Sequence, residues 1–99
     1  MIIYNVTTIL QESIEQDYLD YMKEIHMPEA MASGIFSSCN LLKLTEPINE
    51  GATYCAQYVT DDIQKLNEYR TTISPKLQED FKQKFDNQYV AFRSVLESV

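Results

Sequence analysis

Twice along this chain the recurrence of apolar side chains changes from every second residue to the helical period of about 3.6, then back again. Ile2 to Leu10 alternates, with Ile2, Tyr4, Val6 and Leu10 on one side and Ile3, Asn5, Thr7 and Ile9 on the other, and its β-branched content suits a strand. Ser13 and Gln16 then fit a capping box, after which Ile14, Tyr18, Tyr21, Met22 and Ile25 recur along one helical stripe. Pro28 has no N–H and restricts Met27, so the helix is expected to stop or kink there. Pro28 can open a short second turn that Gly34 closes. Phe36 to Thr45 returns to strand character, with Leu42 and Leu44 on the side of Phe36.

TEPINEG, Thr45 to Gly51, supplies turn residues between two halves of similar length. Thr53 to Thr60 reads as a third strand in which Tyr54, Ala56 and Tyr58 alternate with Thr53, Cys55, Gln57 and Val59. Asp61 or Asp62 caps a helix carrying Ile63, Leu66, Tyr69 and Ile73; Ser74 as N-cap and Pro75 at N1 restart it, and Leu77, Phe81 and Phe85 continue the stripe to a turn at Asp86-Asn87. Tyr89 to Val99 closes the chain as a fourth strand, with Val90, Phe92 and Leu96 on one side and Tyr89, Ala91, Arg93, Val95 and Glu97 on the other. The order β-α-β-β-α-β is a split βαβ arrangement, expected as one α+β domain over residues 1–99. Right-handed crossovers put both helices on one face of an antiparallel sheet with strand order 4-1-3-2.

The more apolar side of each strand is expected to meet the helices: Ile2, Tyr4 and Val6; Leu42 and Leu44; Tyr54, Ala56 and Tyr58; Val90, Phe92 and Leu96. The other side mixes Ile3, Ile9, Leu41, Val59, Ala91 and Val95 with Asn5, Thr7, Gln57 and Arg93. It is too apolar for a solvated face and too polar for a sealed core. Such a face suits an isologous homodimer in which two sheets pack together around a cavity.

Composition narrows the partners. The formal charge is -7, and the stretch from Met1 to Glu50 holds eight acids against Lys23 and Lys43. No basic stripe is present to neutralise phosphates, which argues against nucleic acid and against an anionic membrane surface. No apolar run approaches the roughly 18 to 20 residues of a membrane span, and the first residues lack the basic lead of a secretory signal. Glu15, Asp17, Asp20 and Glu24 on the outer side of the first helix read as a solvated face. Cys39 and Cys55 form no CxxC pair, and as two free thiols they suit a reducing, cytoplasmic setting. Seven tyrosines and four phenylalanines carry much of the apolar area, and because each phenol needs a partner or water, many of these rings are expected at margins or interfaces.

The segments MIIYNVT, EIHMP followed by ASGIF, TYCAQY and VAFRSVLE together resemble a family of small uncharacterised bacterial proteins. That family is classed as a domain of unknown function and is similar in fold to dimeric α/β barrels. The resemblance spans nearly the whole chain and implies a ferredoxin-like fold and a dimer. It transfers no activity.

Among residues able to carry chemistry, Arg93 ranks first, because its guanidinium fork binds carboxylate or phosphate. With the first strand lying between the third and the fourth, Arg93 is expected on the open face near Asn5 and Gln57, two groups able to orient a carbonyl or hydroxyl. The alternative is a structural ion pair, with Glu97 or an acid of a partner subunit. His26, the lone histidine, falls on the flank of the first helix beside Met22 and Leu19, where it either bonds free carbonyls at the helix end or serves as a base. Cys55 alternates onto the open face without a histidine to activate it. There is no phosphate loop, GxSxG or HExxH, and one histidine cannot build a multi-histidine metal centre, so neither metal nor cofactor is expected. Two functions fit. One is a homodimeric small-molecule-binding or interaction protein holding a small anionic organic ligand between its sheets. The other is a cofactor-independent enzyme of monooxygenase, isomerase or decarboxylase type, with His26 or Arg93 as the reactive or polarising group. The enzyme reading rests on analogy of fold.

Overall fold

Strands Ile2–Leu10 (β1) and Ala52–Thr60 (β3) pair antiparallel along their whole length, setting Tyr4 opposite Tyr58 and Asn5 opposite Gln57. In the computed structural model, which describes residues 1–99, Tyr89–Glu97 (β4) pairs with the other edge of β1 and Ser38–Lys43 (β2) with the outer edge of β3. The sheet order is β2-β3-β1-β4, all antiparallel: a four-stranded α+β sheet of the ferredoxin-like kind. Helices Glu15–Tyr21 (α1), Met27–Ala32 (α2), Ile63–Thr72 (α3) and Ser74–Phe85 (α4) share a single buried cluster with one side of that sheet.

The caps are formed only in part. Asp62 accepts from the backbone N–H groups of Gln64 and Lys65 and starts α3 as expected. Ser13 forms no capping box: a 3₁₀ turn over Glu12–Ile14 leads into α1, and Gln16 donates to Asp20 instead. Ser74 is likewise no cap. It is buried, and its hydroxyl accepts from the Gln78 amide at 2.8 Å.

At Pro28 the helix neither stops nor breaks. Residues Met22–His26 adopt a π-helical turn, in which the N–H of Met27 reaches back to the carbonyl of Met22, and α2 continues directly with Pro28 in its first turn. The wider turn relieves the clash that a proline ring makes with the carbonyl four residues earlier. Gly34 then closes the segment with φ +75. The extra residue also changes which side chains point inward. At α-helical spacing Ile25 would follow Tyr21 and Met22 into the core; across the π turn the inward place passes to His26, and Ile25 is left 44% exposed.

The tyrosines are core residues and not marginal ones. Tyr4, Tyr18, Tyr21, Tyr54, Tyr58 and Tyr69 are all buried, and they interlock with Phe36, Phe81 and Phe85 through tilted and edge-on contacts such as Phe36 to Tyr69 at 4.8 Å. Such pairs contribute about 0.5–1.5 kcal/mol beyond the area they bury. One hydroxyl is matched: that of Tyr54 donates to Glu15 at 2.6 Å, and Lys43 reaches the same carboxylate at 3.0 Å. Glu15 is therefore tied to the sheet and is not part of a merely solvated acidic face.

Register corrects two of the four expected faces. On β1 and β3 the side with Tyr4, Val6, Tyr54, Ala56 and Tyr58 meets the helices. On β4, however, Arg93 stands opposite Val6, and on β2, Leu41 stands opposite Ala56, so Arg93, Ala91 and Leu41 lie on the helix side. Val90, Phe92, Leu96 and Leu42 face away from the helices, with Phe92 54% and Leu42 49% exposed. On β4 the greasier side is the outer one, and on β2 the alternation from buried Phe36 does not carry through to Leu42, because Phe36 lies before the paired strand begins at Ser38.

Candidate functional site

A cavity of about 430 Å³ opens between the helix side of the sheet and the helices, beside the edge strand β4. Its floor comes from β1 and β3 through Tyr4, Val6, Ala56 and Tyr58. One wall is the π turn with Met22 and His26, another is α4 with Gln78 and Phe81, and the rim carries Arg93. Tyr4, Tyr58, Tyr69, Phe81 and Tyr89 give it aromatic surface, and polar groups from Thr8, Ser74, Gln78, Glu79, Lys82 and Arg93 share the lining almost evenly with the apolar ones, a mixture able to orient a small molecule.

His26 and Arg93 are brought together here, although no sequence periodicity paired them. The imidazole lies against Tyr21 and Phe81, with ring centroids 6.2 and 6.1 Å away, and its Nδ1 is enclosed without a hydrogen-bond partner. It therefore does not cap the helix end through that nitrogen. Burial pushes its pKa down to about 4, and the positive charge of Arg93 pushes the same way against the opposing pull of Asp80. His26 is neutral at pH 7. Arg93 itself has no acid within ion-pair distance, Glu97 included.

Asn5 and Gln57, expected beside Arg93, face each other on the opposite side of the sheet. Asn5 donates to the Thr7 hydroxyl at 3.0 Å, and its Oδ1 is buried with no partner. Thr7 in turn contacts the Cys55 sulfur at 3.6 Å; both cysteines are free thiols, and Cys39 lies on the helix side, where burial raises its pKa. The outer face as a whole carries Ile3, Thr7, Ile9, Leu42, Val59, Val90, Phe92 and Leu96 with Asn5, Gln57 and Ser94. It holds no charged side chain.

Sequence reasoning missed Tyr4 and Tyr69. Both rings are almost wholly buried and both line the cavity, yet neither hydroxyl bonds to another protein group and neither is sealed in. The Tyr69 phenol is pushed up to about 12, first by burial and then by the neighbouring Tyr4, while Arg93 acts in the opposite sense. The available signals were a tyrosine at an inward position of β1 for Tyr4 and one on the apolar stripe of α3 for Tyr69.

A family model for a domain of unknown function, DUF4286, matches residues 1–99. The chain is a DUF4286 protein. No curated protein matches it by sequence. Solved structures share its fold at low identity. A protein from Agrobacterium tumefaciens is 12% identical with a TM-score of 0.72, over 100% of this chain and 94% of that one. An ethyl tert-butyl ether d (ethd) family protein from Bacillus halodurans is 16% identical with a TM-score of 0.70, over 100% of both chains. A protein described as an antibiotic biosynthesis monooxygenase is 9% identical with a TM-score of 0.72, over 100% of this chain and 99% of that one. These likenesses concern the DUF4286 fold alone. No helix of this DUF4286 chain is long and apolar enough to cross a membrane.

Proposed function

We propose that this DUF4286 protein is an isologous homodimer in which each protomer binds a small organic molecule in the cavity beneath its own helices. The observation that carries the binding reading is that Arg93 and His26 line one cavity of mixed aromatic and polar surface, where Arg93 has no protein anion within ion-pair distance. A space between two sheets would offer Asn5 and Gln57 but not Arg93, so the ligand site belongs on the helix side.

The charge-free outer face supports the dimer. A chain of net charge -7 that associates through this face keeps its acids apart. From strand spacing and rise, the sheet covers roughly 30 by 19 Å, which with its corrugation approaches the ~800 Å² per partner of a standard interface.

The test is a thermal-shift screen of small metabolites against wild type and Ala91→Trp, which fills the cavity. Ligands that raise the melting temperature of wild type and not of the variant support the reading. If none does, or if shifts survive in Ala91→Trp, it falls.

A second reading, a cofactor-independent enzyme, is favoured by one feature: His26 is a neutral base lining the same cavity. One structural neighbour is described as a monooxygenase, which adds fold analogy only. Mass spectrometry of a bound compound after prolonged incubation decides between them. Recovery of the compound unchanged leaves binding alone.

A further inference from the structure

We infer that the cavity takes a carboxylic acid with a flat apolar body, its carboxylate held by the Arg93 guanidinium together with the hydroxyls of Tyr4 and Tyr69. This rests on the binding reading above and names the ligand class of the same site.

Arg93, Tyr4 and Tyr69 line the same cavity, and Tyr69 lies within electrostatic reach of both the others. Arg93 is a cation with no ion-pair partner, placed on the helix side by its register opposite Val6. Tyr4 and Tyr69 lie edge-on with centroids 6.1 Å apart, both at least 97% buried (3% and 2% exposed), and both keep a hydroxyl that no protein group takes up. Both hydroxyls are open to the cavity, so a ligand there can take up bonds that water otherwise fills. A guanidinium fork and two phenol donors together supply what the lone pairs of a carboxylate accept, and a charge-assisted set of this kind is stronger than bonds to a neutral amide.

The rest of the cavity decides the body of the ligand. Phe81, Tyr89, Met22, Ala56 and the ring of Tyr58 present apolar, mostly aromatic surface, which favours a flat ring over a branched polar chain. A volume of about 430 Å³ accommodates one or two rings. The charged lining is Arg93 and Lys82 against Glu79, with His26 neutral, so the site is net positive on a strongly acidic protein. A single negative charge suits it.

The experiment is calorimetric titration of the full chain with 2-naphthoate and with its neutral isostere 2-naphthamide. In wild type the acid is expected to bind about tenfold or more tightly than the amide, the advantage of charged over neutral hydrogen bonding. Arg93→Gln, at an exposed position that leaves folding intact, should bring the two within about twofold of each other. Tyr4→Phe and Tyr69→Phe should each weaken the acid several-fold and the amide less, because a charge-assisted bond is lost in the first case and a neutral one in the second. Equal binding of acid and amide in wild type, both abolished by Ala91→Trp, would overturn the carboxylate assignment while leaving the pocket reading intact. Absence of binding by either compound, or binding that persists in Ala91→Trp, overturns both.

Discussion

His26 and Arg93 line one cavity, the histidine on a π-helical turn and the arginine on an edge strand, and the arginine's charge disfavours protonation of the imidazole. The first prediction follows from that opposition. Between pH 6.5 and about 4 the unfolded chain binds a proton that folded His26 refuses, because its native pKa lies at about 4. The contribution is fully present above pH 6.5 and is lost as pH falls through the window; a shift of this size is worth roughly 3 kcal/mol. Asp80 tempers the effect and Arg93 strengthens it. Urea unfolding at pH 7 and pH 4.5 should show the slope in wild type and a much flatter one in His26→Phe, which keeps an aromatic ring against Tyr21 and Phe81. An unchanged slope in the variant would refute the assignment.

Helix starts supply a second prediction, because only one of the three expected caps is formed. Asp62→Ala removes an acceptor of two backbone N–H groups and should cost about 1 kcal/mol. Ser13→Ala removes no capping bond and should stay within about 0.5 kcal/mol of wild type. Equilibrium unfolding of both variants checks the contrast.

The two glycines separate conformational strain from collision. Both have φ +75, a region costing an L side chain about 1–2 kcal/mol. A Cβ on Gly34 meets nothing, so Gly34→Ala should cost about that strain alone. A Cβ on Gly51 would lie 2.3 Å from the carbonyl oxygen of Leu10 at the end of β1, so the backbone there must shift. Gly51→Ala should therefore be the more destabilising substitution, with a melting temperature clearly below that of Gly34→Ala.

How far the residues themselves announce this arrangement depends on the element. Alternation at Ile2–Leu10 and helical spacing at Leu77, Phe81 and Phe85 are direct prints of burial, and they led to the correct strand order. The faces of β2 and β4 were misread because Leu42, Val90, Phe92 and Leu96 are as apolar as core residues while lying outside this chain's own core. His26 was misplaced on the flank by a uniform 100° step, since nothing short of the backbone reveals that Met22–His26 takes a wider turn. The pairing of His26 with Arg93 was hidden for both reasons at once. One residue needed the π turn and the other needed the register of an edge strand.

The apolar outer side of β4 leads to the last prediction. Phe92, Val90 and Leu96 expose large apolar surface on a face without charge, beside the buried, unpaired Oδ1 of Asn5, and a free monomer gains nothing from either feature. Wild type should sediment at twice the 11.5 kDa chain mass, with a melting temperature that rises with protein concentration. Phe92→Glu places a charge on the outer face through which association is proposed and should give monomers. Ile63→Glu makes the same change at an exposed apolar site at the start of α3, on the helix side and away from the outer face of the sheet, and should leave the dimer intact. Phe92 is already half exposed, so its replacement costs an isolated chain little. Far-ultraviolet dichroism of the monomeric variant should therefore match wild type. A wild type that sediments as a single chain at micromolar concentration, or a Phe92→Glu protein that remains paired, would remove the outer face as the seat of association.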